Sequence, residues 1–239
     1  MRSDRDQLPS REDLIRPHNQ QIPAKSNAGR GASFYSRPVL NVYDLWVLGL
    51  SNQLAWKCPT RSVLLPFYEE HMGAQHLDVG VGTGFYLEHS RLAGSEITLL
   101  DLNENCLRKA AGRVRKSKPE ILVRDVTSST FEQPPKRFDS IALFYVLHCL
   151  PGPMESKQIV IENLKRCLAR DGVLYGATIL GGVARHNAFA RFLLRTYNEI
   201  GCFSNWADDI DGLRKILGRE FGDVYIRQQN SVALFAAKR

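Results

Sequence analysis

The sequence has no uninterrupted apolar run close to the roughly 20 residues that a membrane-spanning helix needs. Residues 1–34 also lack the apolar centre of a secretion signal, and they mix charged residues with Pro, Gly, Asn and Gln. We therefore expect a soluble, cytoplasmic protein without a membrane partner, in which residues 1–34 form a mobile arm. The rest of the 239-residue chain is long enough for one domain with a sizeable core, which we place at 35–239.

Cysteine is scarce and scattered, which counts against two kinds of small stabilised fold. The chain has 5 cysteines and no C-x-x-C pair, so neither a disulfide framework nor a zinc site is indicated. We expect no metal, and we interpret the cysteines as reduced and mostly structural. They are Cys58, Cys106, Cys149, Cys167 and Cys202.

Acidic residues are fewer than basic ones, 25 against 32, so the formal charge is +7. Such an excess raises nucleic acid as a partner, and its distribution then matters. Residues 1–37 hold seven basic and four acidic residues, and the run RKAAGRVRKSK at 108–118 holds six basic and no acidic ones. A basic run on a surface helix is typically a solvated face, so the charge alone does not indicate a nucleic-acid-binding protein.

Short apolar runs alternate with longer amphipathic ones from residue 74 onward. The runs QHLDVG, EITLLDL, EILVRDV, FDSIALFYVLH and GVLYGATIL predict five strands, at 75–80, 96–102, 120–126, 138–148 and 172–180. Helical patterns lie between them at 84–93, 104–117 and 156–169. This alternation predicts an α/β fold with right-handed β-α-β crossovers and a parallel sheet covered by helices on both faces.

Both ends of the domain depart from this rhythm. The apolar spacing predicts two helices at 39–50 and 60–71, joined through 51–59. Two more helices are predicted at 187–201 and 208–221, and 222–239 then predicts a β-hairpin with a tight turn near Gln229 and Asn230. Nicotinamide-binding domains usually continue in β-α units, so a terminal hairpin favours another family.

The stretch HLDVGVGTGFYLEH at 76–89 places Gly80, Gly82 and Gly84 between the first strand and a helix. Glycine lets a ligand approach the backbone, and the start of a helix offers unpaired N–H groups; the alternative is a turn that only permits close packing. A dinucleotide site uses G-x-G-x-x-G, whereas the spacing here is G-x-G-x-G. Asp78 stands two residues before the first glycine, where a carboxylate would repel a pyrophosphate but could receive the ammonium group of an amino acid.

Two further acidic residues end predicted strands. Asp101 follows Gly84 by 17 residues, close to the about 20 expected for an acidic residue that binds ribose hydroxyls. Asp125 ends the third strand and is followed by Val126, and the fourth strand leads into FYVLHCLPG. Ligands of open α/β sheets bind beyond the carboxyl ends of the strands, so we expect four strand ends to form one site.

The glycine turn with its preceding acid resembles motif I of the class I methyltransferases that depend on S-adenosylmethionine (SAM). The resemblance implies SAM as cofactor and a Rossmann-like seven-stranded sheet with a C-terminal antiparallel β-hairpin. It also implies an N-terminal helical lid at 35–73 and a core at 74–239. The cofactor site that it implies consists of Tyr43, Asp78, Gly80, Gly82, Gly84, Asp101, Leu102, Asn103, Asp125, Val126 and Tyr145.

Several stretches resemble one group of small stand-alone methyltransferases of fungi and bacteria, often met in fungal natural-product pathways. They include YDLWVLGLSNQLAWKCPT, FDSIALFYVLHCLPG and DGVLYGATILGG, and the resemblance runs from about Tyr35 to the end of the chain. The group implies a small-molecule acceptor and transfer to oxygen before nitrogen or carbon. Phe85 stands where the group has Tyr, so a hydroxyl contact is missing there. The sequence carries no indication of oligomeric state.

Methyl transfer is an in-line displacement that depends on alignment and desolvation, with a base only where the nucleophile must lose a proton. His148, just past the fourth strand, is the predicted general base because the ordinary pKa of histidine lies near neutral pH; the alternative is a helix-cap or packing residue. A second lid is predicted at 178–192, with a hinge at Gly181 and Gly182. The predicted substrate contacts are Trp46, His148, His186 and Trp206.

Three other functions compete with this prediction. The net charge favours a nucleic-acid methyltransferase, but His148-Cys149-Leu150-Pro151 stands where amino-group DNA methyltransferases carry an N-P-P-Y-like motif. A SAM-binding cyclase or regulatory protein that transfers no methyl group stays open, because alignment catalysis requires no obligatory residue. The glycine spacing counts against a dehydrogenase.

Overall fold

The computed structural model describes residues 44–91, 94–183 and 185–238, and it contains one seven-stranded sheet. The strands are β1 (Gln75–Val79), β2 (Glu96–Asp101), β3 (Glu120–Val123), β4 (Phe138–Phe144), β5 (Leu168–Ile179), β6 (Asp223–Gln229) and β7 (Val232–Lys238). Their order is β3-β2-β1-β4-β5-β7-β6, with the first five parallel and β7 antiparallel to both neighbours. The predicted α/β fold and its terminal hairpin are confirmed.

The helices follow the predicted order, with different ends. They are α1 (Asp44–Ala55), α2 (Thr60–Leu64), α3 (Leu65–His71), α4 (Phe85–His89), α5 (Glu104–Arg113), α6 (Gln158–Cys167), α7 (Ala188–Glu199) and α8 (Ile210–Gly218). Side chains cap three of them at their first turns, those of Asn103 on α5, Asn187 on α7 and Asp209 on α8. The mobile-arm prediction for 1–34 and the predicted contact of Tyr43 lie outside the described residues, as does the side chain of Trp46.

Several predicted helix ends are wrong by one to five residues, and two of these shifts have a visible cause. Helix α1 continues through residues predicted as a linker, because Ser51 and Asn52 are buried there instead of facing water. The amide of Asn52 donates to the hydroxyl of Thr60 at 2.8 Å, which ties α1 to α2. Helix α4 stops at His89, where the Ser90 hydroxyl bonds the carbonyl oxygen of Tyr86 at 2.6 Å.

The alternation of side chains along the strands produces one apolar core on each face of the sheet. Helices α2 to α5 and α7 cover the first face, and α6 and α8 cover the second. Trp56 and Tyr68, from the segment predicted as a lid, are buried in the first core together with Leu99 and Tyr175. Helix α3 and the end of α1 therefore pack as part of the domain's core. A lid role stays a prediction for the beginning of α1 and for residues 35–43, which lie outside the described residues.

A buried ion pair joins two segments on the second face. The ammonium group of Lys157 lies 2.5 Å from Oδ2 of Asp208, and both side chains are 1% exposed. The same ammonium group donates to the carbonyl oxygen of Ser204 at 2.9 Å. This pair ties the start of α6 to the segment that precedes α8, because each charge has lost its water and depends on the other.

We predict that Lys157→Met lowers the free energy of unfolding by about 3–5 kcal/mol, since it leaves the Asp208 carboxylate buried without its partner. Chemical denaturation measures the change. The matched control is Lys215→Met, whose exposed partner Glu155 lies 3.8 Å away and whose loss should cost no more than about 1 kcal/mol. Equal effects of the two substitutions would contradict the structural role of the buried pair.

Candidate functional site

The turn after β1 is closely packed on two sides and open on one. Gly80, Gly82 and Gly84 have φ angles of 67°, 52° and 76°, a region that favours glycine. A Cβ on Gly80 would lie 2.3 Å from Cγ2 of Val146, and one on Gly84 would lie 2.7 Å from Cα of Ala110. Around Gly82 a Cβ would meet nothing within 4 Å. The backbone at Gly82 is therefore the part of the turn that a ligand can approach.

An open cleft lies beyond the carboxyl ends of β1, β2, β3 and β4, and it has a volume of about 1060 Å³ including the part open to solvent. Most of the predicted cofactor residues in the described chain line it, namely Gly80, Gly82, Asp101, Leu102, Asn103, Asp125, Val126 and Tyr145. Its other walls are largely apolar and include Leu48, Phe144, Val146, Cys149 and Leu150, and the charged Arg124 also lines it. The convergence of strand ends expected from the sequence is present.

Asp101 ends β2 with its carboxylate held by the backbone. The N–H of Asn103 donates to Oδ1 at 2.8 Å, and the neighbouring amides of Gly82, Leu102 and Val81 also lower the pKa of this carboxyl. Burial opposes them and raises the pKa to about 6, so the group is an anion above that pH. An oriented carboxylate of this kind can accept two hydroxyl hydrogen bonds, as a ribose offers.

Asp125 shapes the loop that follows β3. Its Oδ1 accepts from the backbone N–H of Thr127 at 2.8 Å and from the hydroxyl of the same residue at 2.6 Å. Asn163 of α6 holds this loop in place, because its amide donates to the carbonyl oxygens of Val126 and Ser128 at 2.8 and 2.9 Å. The loop presents Asp125 and Val126 together at one end of the cleft.

Tyr145 stands at the end of β4 in a strained conformation. Its φ is 59°, which is uncommon for any residue other than glycine and is found where surrounding contacts enforce it. Its N–H donates to the carbonyl oxygen of Ala177 at 2.8 Å, and its hydroxyl donates to Oδ1 of Asn52 at 2.9 Å. Through this bond the cleft wall is joined to α1.

Asp78 does not line the cleft, although the two residues that follow it in β1 and the turn, Val79 and Gly80, do. Its Oδ2 accepts the hydroxyl of Tyr68 at 2.9 Å, and the side chain is buried on the first face of the sheet. Burial raises the pKa of this carboxyl to about 7, the Tyr68 bond lowers it, and the negative charge of Asp101 raises it. The predicted role as ammonium acceptor stays a prediction for this group.

His148 does not have the geometry of a general base. The N–H of Ile179 donates to Nδ1 at 3.2 Å, so Nδ1 is the unprotonated nitrogen and Nε2 carries the proton of the neutral ring. Burial and the nearby Lys157 lower the pKa of His148 to about 3. The ring also packs edge-on against Phe203 with centroids 4.5 Å apart. The structure therefore fits the alternative, a packing histidine, better than a general base. The lone pair on Nδ1, which a base would need to take up a proton, already accepts the Ile179 N–H.

His186 and Trp206, both predicted to contact the substrate, lie away from the cleft lining. Nε2 of His186 lies 3.1 Å from the carbonyl oxygen of Gly181, so it must donate there, and Nδ1 lies 3.0 Å from the hydroxyl of Ser231. With both nitrogens bonded, His186 braces the loop instead of offering a group to a ligand. Trp206 is 56% exposed on the surface.

The described part of the chain holds no group of three or more His, Cys, Asp and Glu side chains that could bind a metal ion. None of the helices at 44–91, 94–183 and 185–238 combines the length and the apolar character of a membrane span.

Comparison with known proteins identifies the family. A family model described as a methyltransferase domain matches residues 77–174. The chain is 46% identical over 194 residues to YbcY of Escherichia coli (strain K12), covering 80% of this chain and 98% of that protein. It is 36% identical over 219 residues to the physcion biosynthesis cluster O-methyltransferase of Aspergillus chevalieri, and the match covers 91% of this chain and 99% of that enzyme.

The chain belongs to the class I SAM-dependent methyltransferases. Solved structures agree on the fold: the N-methyltransferase NodS from Bradyrhizobium japonicum WM9, in complex with S-adenosyl-l-homocysteine (SAH), matches with a TM-score of 0.57 at 17% identity. That match covers 84% of this chain and 97% of NodS.

Several residues of this methyltransferase's site were not predicted from the sequence, and Arg124 and Thr127 of the cleft lining are among them. Asn52 supports Tyr145, Tyr68 bonds Asp78, and Leu48 lines the cleft. A polar Ser51-Asn52 pair inside an otherwise apolar stretch is a signal for Asn52, because buried amides are bonded to partners. Nothing in the local pattern around Tyr68 or Leu48 distinguishes them from ordinary core residues.

We predict that Asp101→Asn weakens SAH binding by about 1–3 kcal/mol, because hydrogen bonds that end on a charged acceptor are lost. Calorimetric titration at pH 7.5 measures the change. Asp171→Asn, at an exposed position on β5, is the matched control and should leave the affinity as it is. Unchanged affinity in Asp101→Asn would mean that the ribose partner lies elsewhere.

Proposed function

We propose that this methyltransferase transfers the methyl group of SAM to an oxygen atom of a small natural-product molecule. The observation that carries the proposal is the cleft in which the open backbone at Gly82 faces the space beside the Asp101 carboxylate. Dinucleotide sites also bind a ribose with an acid at this strand end, so Asp101 does not distinguish the two ligands. Asp78 does favour a ligand without phosphate, since a carboxylate just before the turn would repel a pyrophosphate. The residues present therefore fit SAM better than a dinucleotide.

Each part of SAM has a suitable partner in this cleft. Asp101 would accept the ribose hydroxyls, and Asp125 with the N–H of Val126 would hold the adenine. The turn around Gly82 would lie along the amino-acid part, and the carboxyl group of Asp78, two residues before Gly80, would accept the ammonium group. When bound, SAM supplies a methyl group activated by the positive sulfur.

The apolar residues of the cleft wall would exclude water from the reacting groups. Leu48, Phe144, Val146, Cys149 and Leu150 offer no charge there, and Tyr145 is held rigidly by Asn52. Rigid alignment in a dry space accelerates a displacement by fixing the attack line and removing the solvent shell of the nucleophile. The protein's contribution on this account is alignment and desolvation.

The curated relatives support oxygen as the accepting atom. Besides the physcion enzyme, the relatives include the O-methyltransferase adaD of Aspergillus niger, 34% identical over 212 residues. Because the lone pair of the His148 ring is bonded to the backbone of β5, the proposal does not use this residue as the base. An acceptor hydroxyl that ionises near neutral pH, such as an acidic phenol or enol, needs no such base.

The direct test incubates the purified full chain with SAM carrying a deuterated methyl group and a panel of phenols, enols and carboxylic acids. Mass spectrometry then shows whether a product carries the label on oxygen. An unlabelled, ring-closed product would favour the cyclase alternative, and label in RNA or DNA alone would favour the nucleic-acid alternative. Either result would contradict the proposal.

We predict that His148→Asn reduces the turnover by less than about tenfold and leaves its pH profile unchanged. The Asn carbonyl can replace Nδ1 as acceptor for the Ile179 N–H, and no base is lost. Turnover measured between pH 6 and 9 provides the test. A loss of about 10² to 10⁴, with the acid limb of the profile removed, is the signature of a general base and would restore His148 to that role.

A further inference from the structure

A line of buried hydrogen bonds runs from Asp78 into the protein. The hydroxyl of Tyr68 donates to Oδ2 of Asp78 at 2.9 Å and lies 2.9 Å from Nε2 of His76. Nδ1 of His76 lies 2.8 Å from the hydroxyl of Ser140, which accepts the N–H of Gly73 at 2.7 Å. Tyr68, His76 and Ser140 are 0% exposed. We call these three side chains the Asp78 relay.

The far end of the relay sets its direction. The N–H of Gly73 can only donate, so the Ser140 proton is free to bond Nδ1 of His76. Burial lowers the pKa of His76 to about 3, so the ring is neutral and its one proton then lies on Nε2, where it bonds the Tyr68 oxygen. The Tyr68 proton points to Asp78. In this direction every group has a partner, and the acceptor at the end is a carboxylate.

Burial acts against that carboxylate. The titratable groups that face Asp78 are Tyr68 on α3, Asp101 on β2 and Tyr175 on β5, with Tyr86 on α4 stacked on Tyr68. None of them is a cation. Loss of water raises the pKa of Asp78 to about 7 and Asp101 adds to the rise, while the Tyr68 bond opposes both. In the free protein, therefore, the carboxyl group holds a proton below neutral pH.

We propose that the Asp78 relay is a set of positioning residues that orients the Asp78 side chain as an anion for the cofactor's ammonium group, so that binding expels one proton from Asp78. The inference rests on the proposed function, because it takes SAM as the ligand. The ammonium group keeps its own protons, and the carboxyl proton leaves to the solvent. The cation supplies the charge that the buried surroundings lack.

Calorimetric titration with SAH at pH 6.3, in two buffers of different ionisation enthalpy, measures the protons released on binding. Wild type should release about 0.8 proton more than Asp78→Asn, a substitution that keeps the shape and cannot ionise. Between pH 7.5 and 5.5 the wild-type affinity should fall by about 25-fold more than that of the variant. Asp101 titrates in both proteins and interacts with Asp78, so the difference measures the whole proton release that depends on the Asp78 carboxyl.

Tyr68→Phe tests the relay itself, because it keeps the ring and removes the hydroxyl that donates to Asp78. At pH 7.5 SAH should bind about tenfold more weakly, and the midpoint of the pH dependence should move to higher pH, since the bond that lowers the pKa is gone. The matched control is Tyr225→Phe on β6, where the side chain is 52% exposed, and it should bind SAH like wild type.

Equal proton release by wild type and Asp78→Asn would overturn the inference while leaving SAM binding intact. So would a wild-type pH dependence in Tyr68→Phe. If Tyr68→Phe does not fold, Ser140→Ala replaces it, because it removes the hydroxyl that bonds Nδ1 of His76; the midpoint of the pH dependence should move, and a wild-type midpoint would overturn the relay. No SAH binding by wild type would overturn the proposed function and this inference together, an outcome that the first titration distinguishes from the others.

Discussion

Close approach of the backbone around the turn after β1 is the constraint on which the site depends. Gly80 lies against Val146 and Gly84 against Ala110, so the turn is pressed between the end of β4 and helix α5. A side chain at either position would push these elements apart and move both walls of the cleft. Gly82 can remain open to a ligand because the close contacts of Gly80 and Gly84 hold the loop in place.

Negative charge is the second organising feature. Asp78 and Asp101 end neighbouring strands, and burial raises the pKa of both carboxyls. Backbone amides compensate Asp101, whereas Asp78 accepts the hydroxyl of Tyr68. Among the described residues no cation is found to lower the pKa of Asp78, although Arg124 lines the cleft. An amino-acid ammonium group can supply that positive charge, and a phosphate cannot.

The sheet, the hairpin and the strand-end acids could be predicted because each depends on a local pattern of spacing. The errors concern side chains whose partners are distant in the chain. Asn52 is buried because Tyr145 meets it, and the tautomer of His148 depends on the backbone of β5 at Ile179. His186 resembles a surface residue in sequence, but its two ring nitrogens are hydrogen-bonded to the carbonyl oxygen of Gly181 and the hydroxyl of Ser231. Periodicity cannot indicate such contacts.

If the cleft beside Gly82 holds the methyl donor, a crystal structure of the full chain with SAH will show it there. We expect the ribose hydroxyls within hydrogen-bond distance of the Asp101 carboxylate, and the amino-acid part along Gly82 with its ammonium group on the side of Asp78. SAH bound in another part of the molecule, or with its ribose away from Asp101, would refute this cofactor site.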